Sequence, residues 1–165
     1  MRIEFLRKAD AESVFPELFE ILHSNMSRIA PTGNSYEEDF SMWISCIKPA
    51  LEKEPRQILL LLDDNDRIAG YFQYYVNNGV FMMEEIQFRE PYKGTGIFTE
   101  LYRYLVKILP ENIVFAEAYA NKRNEKSIAV LTHLGLEIIG ENKNGLSFHF
   151  RGRYENLVRR YGNTN

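Results

Sequence analysis

The sequence changes character within Phe88-Arg89-Glu90-Pro91-Tyr92-Lys93-Gly94-Thr95-Gly96-Ile97-Phe98-Thr99, where an apolar strand pattern stops and two glycines follow. Beyond the glycines, apolar residues recur at helical spacing at Ile97, Leu101, Leu105 and Ile108. This spacing predicts an amphipathic helix that begins at about Thr95, ends before Pro110 and packs one face against a sheet.

The two glycines of this turn suggest a ligand. Gly94 and Gly96 lack a Cβ atom, so a ligand can approach the main chain closely. The N-terminus of the next helix offers unpaired N–H groups and a partial positive charge, which together predict a phosphate site. The three residues from Gly94 to Gly96 fit a simple strand-to-helix turn equally well. A P-loop and a dinucleotide fingerprint are excluded, because the Gly-Lys-Ser/Thr of the first and the third glycine of the second are missing.

The composition is that of a globular protein with a real core, since 45% of the 165 residues are hydrophobic and 26% are charged. We expect residues 1–165 to form a single domain. The formal net charge of -3 argues against nucleic acid as a partner, because a phosphate backbone requires a basic face. The longest apolar run, Ile58 to Leu62, has only the length of a strand, so no membrane partner is expected.

The chain contains one cysteine, Cys46, which excludes an internal disulfide and suits a reducing cytoplasm. The first residues, Met1-Arg2-Ile3-Glu4-Phe5, lack an extended apolar signal region, so a cytoplasmic location is expected. The apolar neighbours Trp43 and Ile47 predict that Cys46 is a packed core thiol and not a nucleophile.

A short strand over Ile3 to Leu6 is expected at the start, followed by two helices. The first begins at Asp10 or Ser13 and buries Val14, Phe15, Leu18, Phe19 and Leu22. The second begins with a capping box of Ser35 and Glu38 and is disturbed at Pro49. Its buried face holds Phe40, Trp43, Ile44 and Ile47. Such an aromatic stripe usually belongs to a core, but in a single-domain enzyme it can also wall a substrate pocket.

From Gln57 onward the pattern changes to strands, which are predicted over residues 57–62, 68–76 and 80–88. Asn77-Asn78-Gly79 is a hairpin signal between the last two strands. The polar run Asp63-Asp64-Asn65-Asp66 fits a solvated turn, because the register and the closing glutamate of a calcium loop are absent.

Polar residues interrupt the third of these strands. Alternation places Glu84 on one face with Ile86 and Phe88, and Glu85 on the other face with Gln87. Because the strand should otherwise be buried, at least one carboxylate must point into a cleft or a polar pocket.

The remaining elements complete a mixed α/β pattern. A strand over residues 113–119 leads to Asn124, which is expected to cap a short helix that Gly135 ends. Strands over residues 136–139 and 146–150 follow. The three histidines, His23, His133 and His149, have no metal-ligand spacing, so no metal is expected. Arg159 and Arg160 are expected on a surface end or a frayed tail.

Three motifs together resemble the GNAT acetyltransferase superfamily. They are Glu84-Glu85-Ile86-Gln87-Phe88, Tyr92-Lys93-Gly94-Thr95-Gly96-Ile97, and Asn124-Glu125-Lys126-Ser127-Ile128 leading to Leu134-Gly135-Leu136. The similarity spans about Gln57 to Phe150 and implies a mixed, mostly antiparallel twisted sheet flanked by about four helices. A homodimer is a further expectation from the family.

The resemblance implies acetyl-CoA as co-substrate. Its pyrophosphate would lie on the amides of Gly94 to Phe98, and its pantetheine arm between the strand that ends at Phe88 and the strand of Ala116 to Tyr119. The residues expected to bind the cofactor are Ile86, Gln87, Phe88, Lys93, Gly94, Thr95, Gly96, Ile97, Phe98, Asn124 and Ser127.

The sequence departs from the family pattern at three positions. Lys93 stands where the family usually has Arg or Gln, which keeps a donor but loses the planar fork. Phe98 replaces a usual small residue. Leu131 stands where many members carry a tyrosine that protonates the leaving thiolate, so that role is unfilled or moved. Tyr92 and Tyr119 are candidate substitutes, although a core or rim packing role suits each of them.

The chemistry of acetyl transfer points to the two glutamates. An alkyl amine with a pKa near 10.4 is mostly protonated at neutral pH, so its attack on a thioester requires a proton acceptor. Glu84 and Glu85 are the candidates, directly or through water, and the alternative is an ion pair with a neighbouring Lys or Arg. We expect an N-acetyltransferase acting on a small-molecule or peptide amine in a ternary complex. The competing hypothesis is a catalytically silent CoA-binding sensor or scaffold, suggested by Leu131.

Overall fold

The computed structural model describes residues 1–53 and 55–162. Within them, helices and strands follow in the order β1 (Arg2–Phe5), α1 (Ala11–Met26), α2 (Tyr36–Glu52), β2 (Gln57–Leu62), β3 (Ile68–Asn77), β4 (Val80–Phe88), α3 (Ile97–Ile108), β5 (Phe115–Asn121), α4 (Glu125–His133), β6 (Glu137–Glu141), β7 (Ser147–Arg153) and α5 (Tyr154–Tyr161). Short 3-10 helices at Lys8–Asp10 and Glu90–Tyr92 precede α1 and α3. The predicted mixed α/β fold is confirmed.

The strands form a seven-stranded sheet in the order β1-β2-β3-β4-β5-β7-β6. The pairs β1–β2, β5–β7 and β6–β7 are antiparallel. Strands β4 and β5 are parallel, with Val80 opposite Phe115 and Met83 opposite Ala118. A mostly antiparallel sheet is the arrangement that the resemblance implies.

The chain divides into two compact units. Among the described residues, the first contains 1–53, 55–73 and 85–95, and the second contains 74–84 and 96–162. In the first unit, α1 packs on β2 and β3 through a buried apolar cluster that includes Phe15, Leu18, Ile21, Ile58, Leu60, Leu62 and Tyr71. In the second unit, the rings of Tyr102 in α3 and Tyr161 in α5 lie 5.3 Å apart. The single-domain expectation stays a prediction.

Several local signals are confirmed. The Ser35 Oγ accepts the N–H of Glu38 at 3.2 Å and the Glu38 carboxylate accepts the N–H of Ser35 at 2.8 Å, which completes the capping box of α2. The Oδ1 of Asn124 accepts the N–H of Ser127 at 3.1 Å and caps α4. Gly135 follows α4 with a φ of 85°, as a left-handed helix stop requires.

Helix α2 shows how Pro49 is accommodated and corrects the prediction for Cys46. It continues through Pro49 to Glu52, because proline removes only one backbone hydrogen bond while Ile47 and Leu51 remain packed in the core. Cys46 is exposed and is not a packed core thiol. One helical position separates Cys46 from the buried Ile47, and this turn of about 100° places the thiol on the outer face.

Helix α3 also differs from its prediction. It begins at Ile97 instead of about Thr95, because Gly96 has a φ of 90° and a right-handed helix cannot include that conformation. Ile108 is exposed, whereas it was expected on the buried face. Tyr102 is buried instead, where it meets Tyr161.

Helix α5 replaces the frayed tail that the sequence suggested. Tyr154, Leu157 and Tyr161 are buried at helical spacing, and this apolar stripe anchors the helix. Arg159 and Arg160 are exposed on the same helix, as expected for a surface position.

Gly152 in β7 should not accept a side chain. A Cβ atom there would lie 2.5 Å from the carbonyl oxygen of Gly135 and 3.1 Å from the Cα of Leu136, so the backbone would have to move. We expect Gly152→Ala to lower the free energy of unfolding by about 1–3 kcal/mol, measured by urea denaturation. Gly140→Ala in β6 is the matched control, since a Cβ atom there meets no atom within 4 Å. Equal losses in the two variants would contradict this explanation.

Candidate functional site

The turn between β4 and α3 has an open backbone. Gly94 and Gly96 have φ values of 77° and 90°, and a Cβ atom at either residue would meet no heavy atom within 4 Å. The first backbone hydrogen bond of α3 joins the N–H of Glu100 to the carbonyl oxygen of Gly96 at 3.1 Å. The N–H groups of Ile97 and Phe98 precede this bond and point out of the helix end. The turn can therefore accept an anion.

A chain of hydrogen bonds in the first unit links Lys93 to Glu85. The Nζ of Lys93 donates to Oδ1 of Asn25 at 2.8 Å, and Nδ2 of Asn25 donates to Oε1 of Gln87 at 2.8 Å. The Nε2 of Gln87 then donates to Oε1 of Glu85 at 2.6 Å. The Nδ2 of Asn25 also donates to the carbonyl oxygen of Phe88 at 3.0 Å. Four residues expected in the site are thus brought together by Asn25 of α1.

Asn25 was missed by the sequence analysis. It lies seven residues after the buried Leu18, so both project from a similar face of α1. A polar side chain at this spacing was the signal that could have identified it.

Glu85 is half-buried next to a buried hydroxyl group. Tyr71 in β3 is fully buried, and its hydroxyl has no hydrogen-bond partner among the residues that the structure describes. Burial above all, and then the charge of Glu85, raise the pKa of Tyr71 well above 10. Glu85 is therefore the carboxylate that faces polar groups of the first unit. Glu84 is half-buried and projects from the opposite face of β4.

The other residues expected in the site have the following surroundings. The hydroxyl of Thr95 donates to the carbonyl oxygen of Tyr92 at 2.6 Å. Ile86 is half-buried. In the second unit, Ile97 is buried and the ring of Phe98 lies 4.5 Å from that of Tyr102. Asn124 and Ser127 are half-buried at the start of α4, and Leu131 is buried further along that helix.

The two tyrosines considered as proton donors make other contacts. The hydroxyl of Tyr92 donates to Oδ2 of Asp63 at 2.6 Å, and this bond is the main reason why the pKa of Tyr92 is raised above 10. The same bond is the main reason why the pKa of Asp63 is well below its usual value. The ring of Tyr119 stacks on His149 at 4.4 Å. These contacts agree with packing roles for both tyrosines.

A second polar cluster lies on β5 and β7. Glu117 is only 6% exposed, and it accepts a hydrogen bond from Nε of Arg151 at 2.6 Å and lies 2.8 Å from Nε2 of His149. Burial alone would raise the pKa of Glu117, but the hydrogen bonds of His149 and Arg151 outweigh it and lower the pKa. The cluster is satisfied within the sheet, so it serves stability.

Glu117→Gln should destabilise the protein in a pH-dependent way. Because the pKa of Glu117 is lower in the folded state, its stabilisation is present above the unfolded value of about 4.3 and is lost as the pH falls through the folded value. We expect a loss of about 1–3 kcal/mol in unfolding free energy at pH 7, discounted for the partly exposed Arg151. Urea denaturation at pH 7 and at about pH 3 should show that the loss shrinks in acid. Glu111→Gln, at an exposed loop residue, is the control, and a pH-independent loss would contradict the assignment.

The described part of the chain lacks both membrane-spanning helices and clusters of metal ligands. None of its helices combines the length and the hydropathy needed to cross a bilayer. Among the same residues, no three His, Cys, Asp or Glu side chains are grouped so that they could hold a metal ion.

Residues 15–136 match the model of the acetyltransferase (GNAT) family. The chain belongs to the GNAT family. The open turn at Gly94 and Gly96 and the polar end of β4 both lie within the matched residues. No curated protein matches this GNAT chain in sequence.

Solved acetyltransferases share the fold of this GNAT protein. An acetyltransferase from Thermus thermophilus has a TM-score of 0.70 at 15% identity, covering 93% of this chain and 97% of the other. The PaiA N-acetyltransferase from Thermoplasma acidophilum, solved with coenzyme A, has a TM-score of 0.66 at 16% identity, covering 93% and 100%. Mutant forms of the spermidine/spermine N-acetyltransferase SpeG from Vibrio cholerae have a TM-score of 0.61 at 13% identity, covering 96% of both chains. At these identities the likeness shows the fold.

Proposed function

We propose that this protein transfers the acetyl group of acetyl-CoA to a primary amine, by direct attack of the amine while both substrates are bound. The observation that best supports the proposal is the half-buried Glu85 carboxylate, held by Gln87 at 2.6 Å at the end of β4. Membership of the GNAT family supports the reaction class. The spermidine acetyltransferase and the coenzyme A complex among the structural neighbours support an amine acceptor and a CoA donor.

The turn before α3 suits the pyrophosphate of coenzyme A. Lys93 supplies a cation, Gly94 and Gly96 leave space for close approach, and the amides of Ile97 and Phe98 point out of the helix. Asn124 and Ser127 at the start of α4 are the further residues that we assign to the cofactor. The bound co-substrate would supply its acetyl group as a thioester, whose thiolate is a tolerable leaving group.

Glu85 is the group that we assign as proton acceptor. A C–N bond forms and a C–S bond breaks during transfer, and the proton that the amine loses passes to the carboxylate directly or through water. An ionised carboxylate beside the attacking nitrogen also favours binding of a cationic amine. The donation from Gln87 to Oε1 holds the Glu85 carboxylate in place.

Binding of acetyl-CoA is the first test. Calorimetric titration should give saturable binding to the wild type and at least tenfold weaker binding to Gly96→Asp, which places a bulky anion in the turn. Gly140→Asp adds the same charge where β6 is open and should bind as the wild type does. Circular dichroism should establish that each variant is folded. A folded wild-type protein that does not bind acetyl-CoA would contradict the proposal.

Turnover of a panel of amines tests the proton acceptor. Glu85→Gln should lower kcat by about 100-fold or more, which is the usual contribution of general-base catalysis. Glu111→Gln, far along the chain at an exposed loop residue, should leave kcat unchanged. A large loss in Glu84→Gln alone would assign the role to the other glutamate. Binding of acetyl-CoA without turnover of any amine would favour a silent CoA-binding module, as Leu131 suggests.

A further inference from the structure

The hydrogen-bonded chain from Lys93 to Glu85 has a fixed direction. An ammonium group only donates, so the Asn25 atom that faces Lys93 must be Oδ1. The nitrogen of Asn25 then faces Gln87, which must present Oε1 and turn its own NH2 group to Glu85. The cation at one end thus decides which atom of Gln87 meets the carboxylate at the other end.

Asn25 is fixed by a second acceptor that cannot change its role. Its Nδ2 also donates to the main-chain carbonyl oxygen of Phe88 at 3.0 Å. Gln87 is 7% exposed, so an inverted amide would hold its oxygen against the Glu85 carboxylate with little water to compensate. The direction of every hydrogen bond from Lys93 to Glu85 therefore depends on Asn25.

Of the four hydrogen-bonded side chains from Lys93 to Glu85, Lys93 is the one that an anion on the open turn can reach. Its side chain is 37% exposed, and its other partner, the Glu90 carboxylate at 2.6 Å, is 80% exposed. Lys93 directly precedes Gly94, so an anion on the open turn would bond the same ammonium group with a charge-assisted hydrogen bond. Such an anion competes with Asn25 and Glu90 for Lys93.

We propose that Asn25 is a positioning residue that couples anion binding at Lys93 to the Glu85 carboxylate. The inference rests on the proposed function, in which the anion is the pyrophosphate of acetyl-CoA and Glu85 is the proton acceptor. An anion that draws Lys93 from Asn25 removes the positive end of the chain and weakens the donation of Gln87 to Glu85. The carboxylate then accepts a proton more readily when the cofactor is bound. Because coupling is reciprocal, the state of Glu85 also affects cofactor affinity.

The positioning role can be tested in the free protein, using the side-chain amide signals of Gln87 in 15N NMR spectra, assigned by their loss in Gln87→Glu. Lys93→Met should shift these signals, although two hydrogen bonds separate Lys93 from Gln87. The same change in an Asn25→Leu background should not shift them. Lys107→Met removes an equal charge from an exposed residue of α3 and should leave them unchanged. Gln87 signals that do not respond to Lys93→Met would overturn the positioning role.

Asn25→Asp gives a second variant, in case Asn25→Leu does not fold. A carboxylate at this position keeps the side-chain size and the contact with Lys93, but it cannot donate to Gln87 or Phe88. The side-chain amide of Gln87 should therefore rotate so that Oε1 and Nε2 exchange places, and its NMR signals should shift. Asn112→Asp, which adds the same charge at an exposed loop residue, should leave the spectrum of Gln87 unchanged. Identical Gln87 signals in wild type and Asn25→Asp would contradict the proposed direction of the chain.

Acetyl-CoA tests the coupling itself. Saturating acetyl-CoA should shift the Gln87 signals of the wild type and should leave those of Asn25→Asp unshifted. Acetyl-CoA that binds in calorimetry without moving the wild-type signals would overturn the coupling. Absence of binding would overturn the proposed function and the coupling together, while the spectra of the free protein still decide the positioning role.

Kinetics separates positioning from general damage to the fold. Asn25→Asp should lower kcat by about tenfold, and the same change should cost little more in a Glu85→Gln background. The two effects are non-additive if Asn25 acts through Glu85. Effects that multiply would show that Asn25 acts independently of Glu85 and would overturn the proposal.

Discussion

The double donation of Asn25, to Gln87 and to the carbonyl oxygen of Phe88, is the interaction on which the end of β4 depends. It joins a side chain of α1 to both the side chains and the main chain of the strand. Because Gln87 is buried, turning one of the two amides over would leave polar groups unpaired at a cost of about 1–3 kcal/mol. The position of Glu85 is therefore set by a helix that is distant along the chain and not by its own strand alone.

A second group of contacts holds the same strand end. The guanidinium of Arg89 donates to the carbonyl oxygen of Ile68 at 3.0 Å and bonds Glu17 and Glu20 of α1 at 2.9 and 3.0 Å. Gly70 of β3 lies so close to the carbonyl oxygen of Gln87 that a Cβ atom would overlap it. Strand β3 and helix α1 thus both contact the end of β4. A rigid support of this kind is what a positioned carboxylate requires.

The sequence predicts those features whose causes lie within a few residues. Ser35 and Glu38, or Asn124 and Ser127, are three positions apart, so their bonds follow from local geometry. Helix α5 was missed because its tyrosines are stabilised by distant partners, such as Tyr102 against Tyr161. Asn25 was missed for the same reason, since Gln87 and Phe88 lie 62 and 63 residues further along the chain. The open turn at Gly94 and Gly96 could be predicted from the sequence, whereas the side chains that position Glu85 could not.

The hydrogen-bond partners of Lys93 explain why a lysine suits this position. A compact ammonium group can donate to Oδ1 of Asn25 at 2.8 Å and to the Glu90 carboxylate at 2.6 Å in different directions. A planar guanidinium would direct its donors as a fork and would favour a bidentate carboxylate or phosphate over a single amide oxygen. Lys93, in place of the Arg or Gln that the family resemblance led us to expect, therefore suits the contact with Asn25. In the free protein, this ammonium group helps to orient the hydrogen-bonded amides that lead to Glu85. It is also available to an anion on the turn. Lys93 therefore connects cofactor binding to the proposed proton acceptor.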